Sequence, residues 1–243
     1  MNRQRTQVLV AIALVALAFY GLRHRLGLDS LLIFVVIIPS IILHEVSHGV
    51  AALAFGDRTA KEAGRITLNP IPHIDPIGTL LLPGIMSLVG LGAFGYAKPV
   101  PVNPSRMRHP RNDSLIVSLV GPLTNLAIAA VATVVLRFAR PVSVVETVRT
   151  FGLGAVSVGD RILFLAGFLN VILAVFNLLP IPPLDGSAVV ERLLPRRWWP
   201  GWMTVRQYSM AILLMLVLLG GNLLQHVFHP AERLWGHLVG LGG

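Results

Sequence analysis

Between Ser30 and Phe55 the chain is apolar almost throughout, and inside that run lies His44-Glu45-Val-Ser-His48, an H-E-x-x-H pattern. The run is long enough to cross a bilayer as one helix, for which ~20 apolar residues suffice. In an α-helix two residues four apart share a face with one turn between them. Two imidazoles so placed can hold one Zn²⁺, and the neighbouring Glu45 can act on a water molecule as general base. An ionisable group at the centre of a lipid-spanning helix costs roughly 2.5–3.5 kcal/mol. Three polar groups on one short stretch therefore need a compensating partner, and a bound metal is the most economical one. The competing account is a polar patch lining a water-filled transport path.

The composition agrees with a membrane setting: 54% of the 243 residues are hydrophobic and 13% charged. The absence of cysteine excludes disulfides, thiolate zinc ligands and cysteine nucleophiles. The net charge of +9 does not point to nucleic acid. The basic residues lie in short loops between apolar runs, where membrane orientation explains them, and no basic–aromatic interleaving accompanies them. The expected surroundings are a lipid bilayer, with no nucleic-acid partner.

Apolar segments near 8–22, 30–55, 77–97, 115–138, 161–179 and 203–227 predict an all-α polytopic membrane protein of about five to six transmembrane helices, with one domain over 1–243. Ala16-Leu-Ala18 resembles a signal-peptide cleavage site but lies within its apolar run, so a retained short first span is expected. Segment 77–97 is interrupted by Pro83-Gly84 and four further glycines and reads as a crossing or as a re-entrant piece. Ala63–Leu68 looks strand-like, a small membrane-associated β element. Pro70, Pro72 and Pro76 then exclude a regular helix. Six crossings would divide Lys and Arg 10 and 10 between the two sides, whereas a re-entrant 77–97 divides them 13 and 7. The second scheme obeys the positive-inside rule, runs the His44 and Asp185 spans in the same direction, and gives a multi-pass protein of the cell membrane with a cytoplasmic N-terminus.

Catalytic zinc usually has three protein ligands and an open position. Asp185 is the best third candidate, a carboxylate in the Pro-rich break that ends the 161–179 span. Extended backbone is expected around it. Capping a following helix, or closing an Asp-Gly turn, accounts for Asp185 equally well from local sequence.

Three stretches, His44-Glu45-Val-Ser-His48, Gly121-Pro-Leu-Thr-Asn125 and Asn177-Leu-Leu-Pro-Ile-Pro-Pro-Leu-Asp185-Gly186, occur in that order on successive spans. In this the chain resembles the site-2 protease family of intramembrane zinc metalloproteases, peptidase family M50, and the resemblance extends over residues 30 to 190. It implies one Zn²⁺ per chain held by His44, His48 and Asp185, Glu45 as the catalytic base, and Asn177 holding the substrate backbone or its oxyanion. It further implies an endopeptidase that cuts transmembrane segments of other membrane proteins. The alternatives are a transporter or ion carrier using the His/Glu/Asp cluster, and a family member that binds membrane partners without cutting them. Oligomeric state is not encoded in any feature of the sequence. Asn125, an amide in mid-span, is expected to line the site or to bond helix to helix. His73 and Asp75 read as turn formers, and His109, His226, His229 and His237 as interfacial histidines.

Overall fold

The computed structural model describes residues 27–81, 95–140 and 142–241. Its helices are α1 (Leu28–Ala54), α2 (Thr59–Glu62), α3 (Pro110–Val134), α4 (Val142–Phe151), α5 (Val158–Asn177), α6 (Ser187–Leu193), α7 (Trp199–Gln207), α8 (Ser209–Leu219) and α9 (Gly221–Val239). Among the described residues three helical stretches are long and apolar enough to cross a membrane: α1, Pro110–Ala139 (α3 with the turn that extends it), and α5. The predicted first span near 8–22 lies outside the described residues, as does most of 77–97 with its glycine-rich part. The described span count is therefore lower than the five to six expected.

Each span begins where the local chemistry permits. α3 opens with Pro110 in its first turn, and the Asp113 carboxylate accepts the N–H of His109 at 2.7 Å. α5 opens on Ser157, whose hydroxyl oxygen accepts the N–H of Asp160 at 3.2 Å. On α1, Leu31, Phe34, Val35 and Ile38 turn outward and are about half exposed, while Leu32, Val36, Ser40, His44 and His48 are buried. An apolar outer face around an inner face that carries the polar groups is what a helix in lipid requires.

The three spans pack into one bundle whose directions can be read from paired residues. At one end Arg161 reaches Asp29 at 3.1 Å, and midway Asn170 donates to the Ser40 hydroxyl at 2.9 Å, so α1 and α5 run parallel. α3 is antiparallel to both: at the other end the N–H of Arg108 donates to the carbonyl of Phe55 at 3.2 Å. The chain thus leaves the bundle at Phe55 and rejoins it at Arg108 at the same end, and between these lies segment 77–97. Its two ends are tied together, since Tyr96 N–H donates to the Gly78 carbonyl at 3.0 Å and the Thr79 hydroxyl to the Tyr96 carbonyl at 2.9 Å.

Two expectations are overturned. Ala63–Leu68 forms no strand, and no strand occurs among the described residues. Arg65 N–H closes on the Ala60 carbonyl, Gly64 takes φ +65°, and Asn69 N–H turns to the Thr67 hydroxyl. Turn chemistry uses the groups a ladder would have needed. The predicted continuous span 203–227 is broken at Tyr208 and Gly220; α7 and α8 meet at 64°, and the pair counts at most as one broken or re-entrant span. The last helix folds back instead. Trp235 of α9 is buried against Gly167, where a Cβ would come within 2.5 Å of its ring, and its Nε1–H donates to Thr133 at 3.0 Å.

Asp57, just past α1, ties the returning chain down. It is fully buried and accepts the N–H of Thr59 at 2.9 Å, the Thr59 hydroxyl, and the N–H of Asn103 at 2.6 Å. Burial alone would raise this carboxyl, but the Thr59 and Asn103 donors outweigh it and hold it below the usual carboxylate range. A depressed folded-state pKa contributes stability that is present above the unfolded value of about 3.9 and is lost as pH falls through the folded one. Asp57→Asn is therefore expected to cost roughly 1.5–3 kcal/mol at neutral pH. Melting in detergent should show that deficit shrinking below about pH 4, as the parent's own carboxylate takes up its proton; a deficit that stays constant down to pH 2 would contradict this account.

Candidate metal centre

His48 and His44 stand about 9 and 15 Å inside the C-terminal end of α1, at 1.5 Å of rise per residue. One turn apart, their rings meet edge to face with centroids 4.7 Å apart. The Nε2 atoms approach to 3.1 Å. Asp185 closes the group: its Oδ2 lies 3.1 Å from His44 Nε2 and 3.4 Å from His48 Nε2. Asp185 arrives from the chain after α5, where Pro180, Pro182 and Pro183 stop the helix. The backbone there is a series of tight turns rather than the extended segment expected. Leu184 N–H donates to the Ile181 carbonyl at 2.9 Å and Gly186 N–H to the Asn177 carbonyl at 2.7 Å. A Cβ at Gly186 would sit 2.2 Å from the Leu178 carbonyl oxygen, so the turn can double back only on glycine.

The outer nitrogen of each imidazole is engaged. His48 Nδ1–H donates to the Val117 carbonyl at 2.7 Å, and His44 Nδ1–H to Asn125 Oδ1 at 2.6 Å. With the protons there, both Nε2 atoms carry lone pairs. Two lone pairs and a carboxylate oxygen thus converge in a buried place, and Asp185 Oδ2 has no hydrogen-bond donor. Three acceptors facing one another need a cation between them. Ligands about 2.0–2.1 Å from a tetrahedral zinc ion lie about 3.3 Å apart, which the observed separations of 3.1, 3.1 and 3.4 Å match. Among the described residues this is the group of His, Asp and Glu able to hold a metal. The residues present fit zinc.

Glu45 is not in that triangle. Its Oε2 accepts the N–H of Val100 at 2.8 Å, from a stretch without regular secondary structure that passes Gly49 of α1. Pro99 and Pro101 on either side carry no N–H, so Val100 is the donor that stretch can offer. Asn177, the last residue of α5, gives one N–H back to the Leu173 carbonyl at 2.9 Å. His73 donates to the Thr67 carbonyl, and Asp75 accepts the N–H groups of Ile77 and Gly78, so both shape their loop.

Sequence analysis places Gly121 in a motif but assigns it no role at the site. A Cβ there would fall 2.4 Å from His48 Nε2 and 2.6 Å from His44 Cε1. Glycine lets α3 lie against the imidazoles. The signal was available, because Gly121 precedes Asn125 by four residues and so shares its face of α3.

Fold and site together define a multi-pass helical membrane protein with a zinc-compatible His₂Asp centre enclosed by its spans. The family model described as peptidase family M50 matches residues 32–220, and the chain belongs to that family, the site-2 proteases. Similar proteins each carry the name "Putative zinc metalloprotease". YwhC of Bacillus subtilis is 38% identical over 66% of this chain and 68% of its own length. Rip2 of Mycolicibacterium smegmatis is 32% identical over 74% and 63%, and MJ0611 of Methanocaldococcus jannaschii 26% identical over 77% and 84%. No solved structure shows significant similarity.

Proposed function

We propose that the chain is a zinc-dependent endopeptidase of the site-2 type, cutting transmembrane segments of other membrane proteins within the bilayer. The observation that carries this is the convergence of His44 Nε2, His48 Nε2 and Asp185 Oδ2 below the end of a membrane-spanning helix. One zinc ion per chain is held by these three residues and, when bound, supplies Lewis acidity that polarises water and the scissile carbonyl. Glu45 takes the proton of the attacking water and passes it to the leaving amine. Val100 N–H holds Oε2 of that carboxylate, and Oε1 takes the proton. Asn177, which spends one N–H on the Leu173 carbonyl, supplies the other to the developing oxyanion. The substrate enters locally unwound, because a helix hides its peptide bonds in its own hydrogen bonds.

The site and its spans act as one domain over residues 1–243. A cytoplasmic N-terminus is supported by the charge division, which puts 13 of the 20 basic residues on its side. Purified protein should contain one zinc per chain and cleave a model transmembrane substrate, with cleavage abolished by chelation and restored by zinc. Asp185→Ala should lower zinc affinity by more than the ~10–100-fold that losing a supporting hydrogen bond costs. Stoichiometric zinc in that variant, or ion flux through vesicles without cleavage, would reject this function.

A further inference from the structure

Behind His44 lies a file of polar side chains that a metalloprotease site does not by itself demand. Asn125 on α3 and Asn170 on α5 are both fully buried, and Ser40 on α1 is 4% exposed. Asn125 Nδ2–H donates to Asn170 Oδ1 at 2.8 Å, Asn170 Nδ2–H to the Ser40 hydroxyl at 2.9 Å, and Ser40 to the Val36 carbonyl at 2.8 Å. The second N–H of Asn170 donates to the Ala166 carbonyl at 2.8 Å.

The direction of this file is dictated at its far end. Backbone carbonyls only accept. The Val36 carbonyl takes the Ser40 hydroxyl proton, so the Ser40 oxygen accepts; that oxygen and the Ala166 carbonyl orient Asn170 with its NH₂ toward them and its oxygen toward Asn125. Asn125 must then present its NH₂ to that oxygen, because two amide oxygens would repel. Its own oxygen is left facing His44 Nδ1, which must carry the proton. We infer that Asn125, Asn170 and Ser40 form a positioning relay which sets the tautomer of His44 and so keeps Nε2 available as a metal ligand. This rests on the proposal that His44 binds zinc. None of the three touches the reacting atoms; each acts through the next.

The relay makes a prediction that simple packing does not. An amide at 125 must be oriented, whereas a carboxylate offers oxygen whichever way it turns. Zinc affinity of the full-length protein in detergent, measured by competition with a chromophoric chelator, is the readout. Asn125→Leu should weaken binding about 10–100-fold. Asn170→Leu should weaken binding in the parent chain but not in the Asn125→Asp background, where it removes the amide oxygen that would oppose the carboxylate. Equal losses from Asn170→Leu in both backgrounds would overturn the relay and leave Asn170 a packing residue. So would parent-like affinity in every variant. A parent chain that binds no zinc would overturn the metal centre together with the relay, which separates the two failures.

Discussion

Glu45→Gln is expected to bind zinc like the parent chain and to cleave no substrate. The amide has the shape of the carboxylate, and its oxygen can accept the Val100 N–H at the position Glu45 Oε2 now occupies, 2.8 Å away. The fold and the His44–His48–Asp185 triangle should therefore stand. The variant loses a site that can take a proton, and general base catalysis of this kind contributes about 10²–10⁴-fold. Paired zinc analysis and cleavage of a model transmembrane substrate provide the check. Cleavage at the parent rate would place the base elsewhere. Loss of zinc with loss of cleavage would make Glu45 part of the metal's support instead.

Gly121→Ala should have an effect as large, by a different route. Replacing glycine with alanine inside an ordinary helix is favourable by roughly 1 kcal/mol, so helix propensity alone predicts a more stable protein. The added carbon would lie 2.4 and 2.5 Å from two atoms of the His48 ring and 2.6 Å from the His44 ring. Both imidazoles or the whole of α3 must move by about 1 Å to restore ordinary contact, whereas metal–ligand distances tolerate about 0.2 Å. Zinc affinity should fall by more than about 100-fold, beyond the cost of a lost supporting hydrogen bond. Chelator competition measures it. A variant that binds zinc normally and melts higher than the parent would show that the helices part at no cost.

What could be read from the sequence follows from the range of the signals. His44 and His48 lie four apart, and helical spacing alone puts them side by side. Asp185 is 137 positions further on from His48, and its Asp-Gly neighbourhood is equally that of a turn; its meeting with the imidazoles depends on α5 running parallel to α1, which no local pattern states. The turn and the carboxylate position prove to be the same structure. Gly121, Asn170 and Ser40 were all visible as small or polar residues in apolar runs, but what each is for depends on which helix lies opposite. The Val100 donor is backbone and leaves no trace beyond its flanking prolines. The strand-like look of Ala63–Leu68 is too short a signal to prevail against Gly64 and the side-chain turns that follow. Apolar composition likewise carried the 203–227 expectation through Tyr208 and Gly220, since hydropathy does not record where a helix bends.

The clasp between Gly78 and Tyr96 has an evolutionary consequence. The chain between them departs from and returns to a single anchored point, so its length is decoupled from the register that sets Val100 against Glu45. Doubling such an excursion costs on the order of 0.6 kcal/mol in closure entropy. Insertions and deletions there can accumulate while Val100 stays set against Glu45.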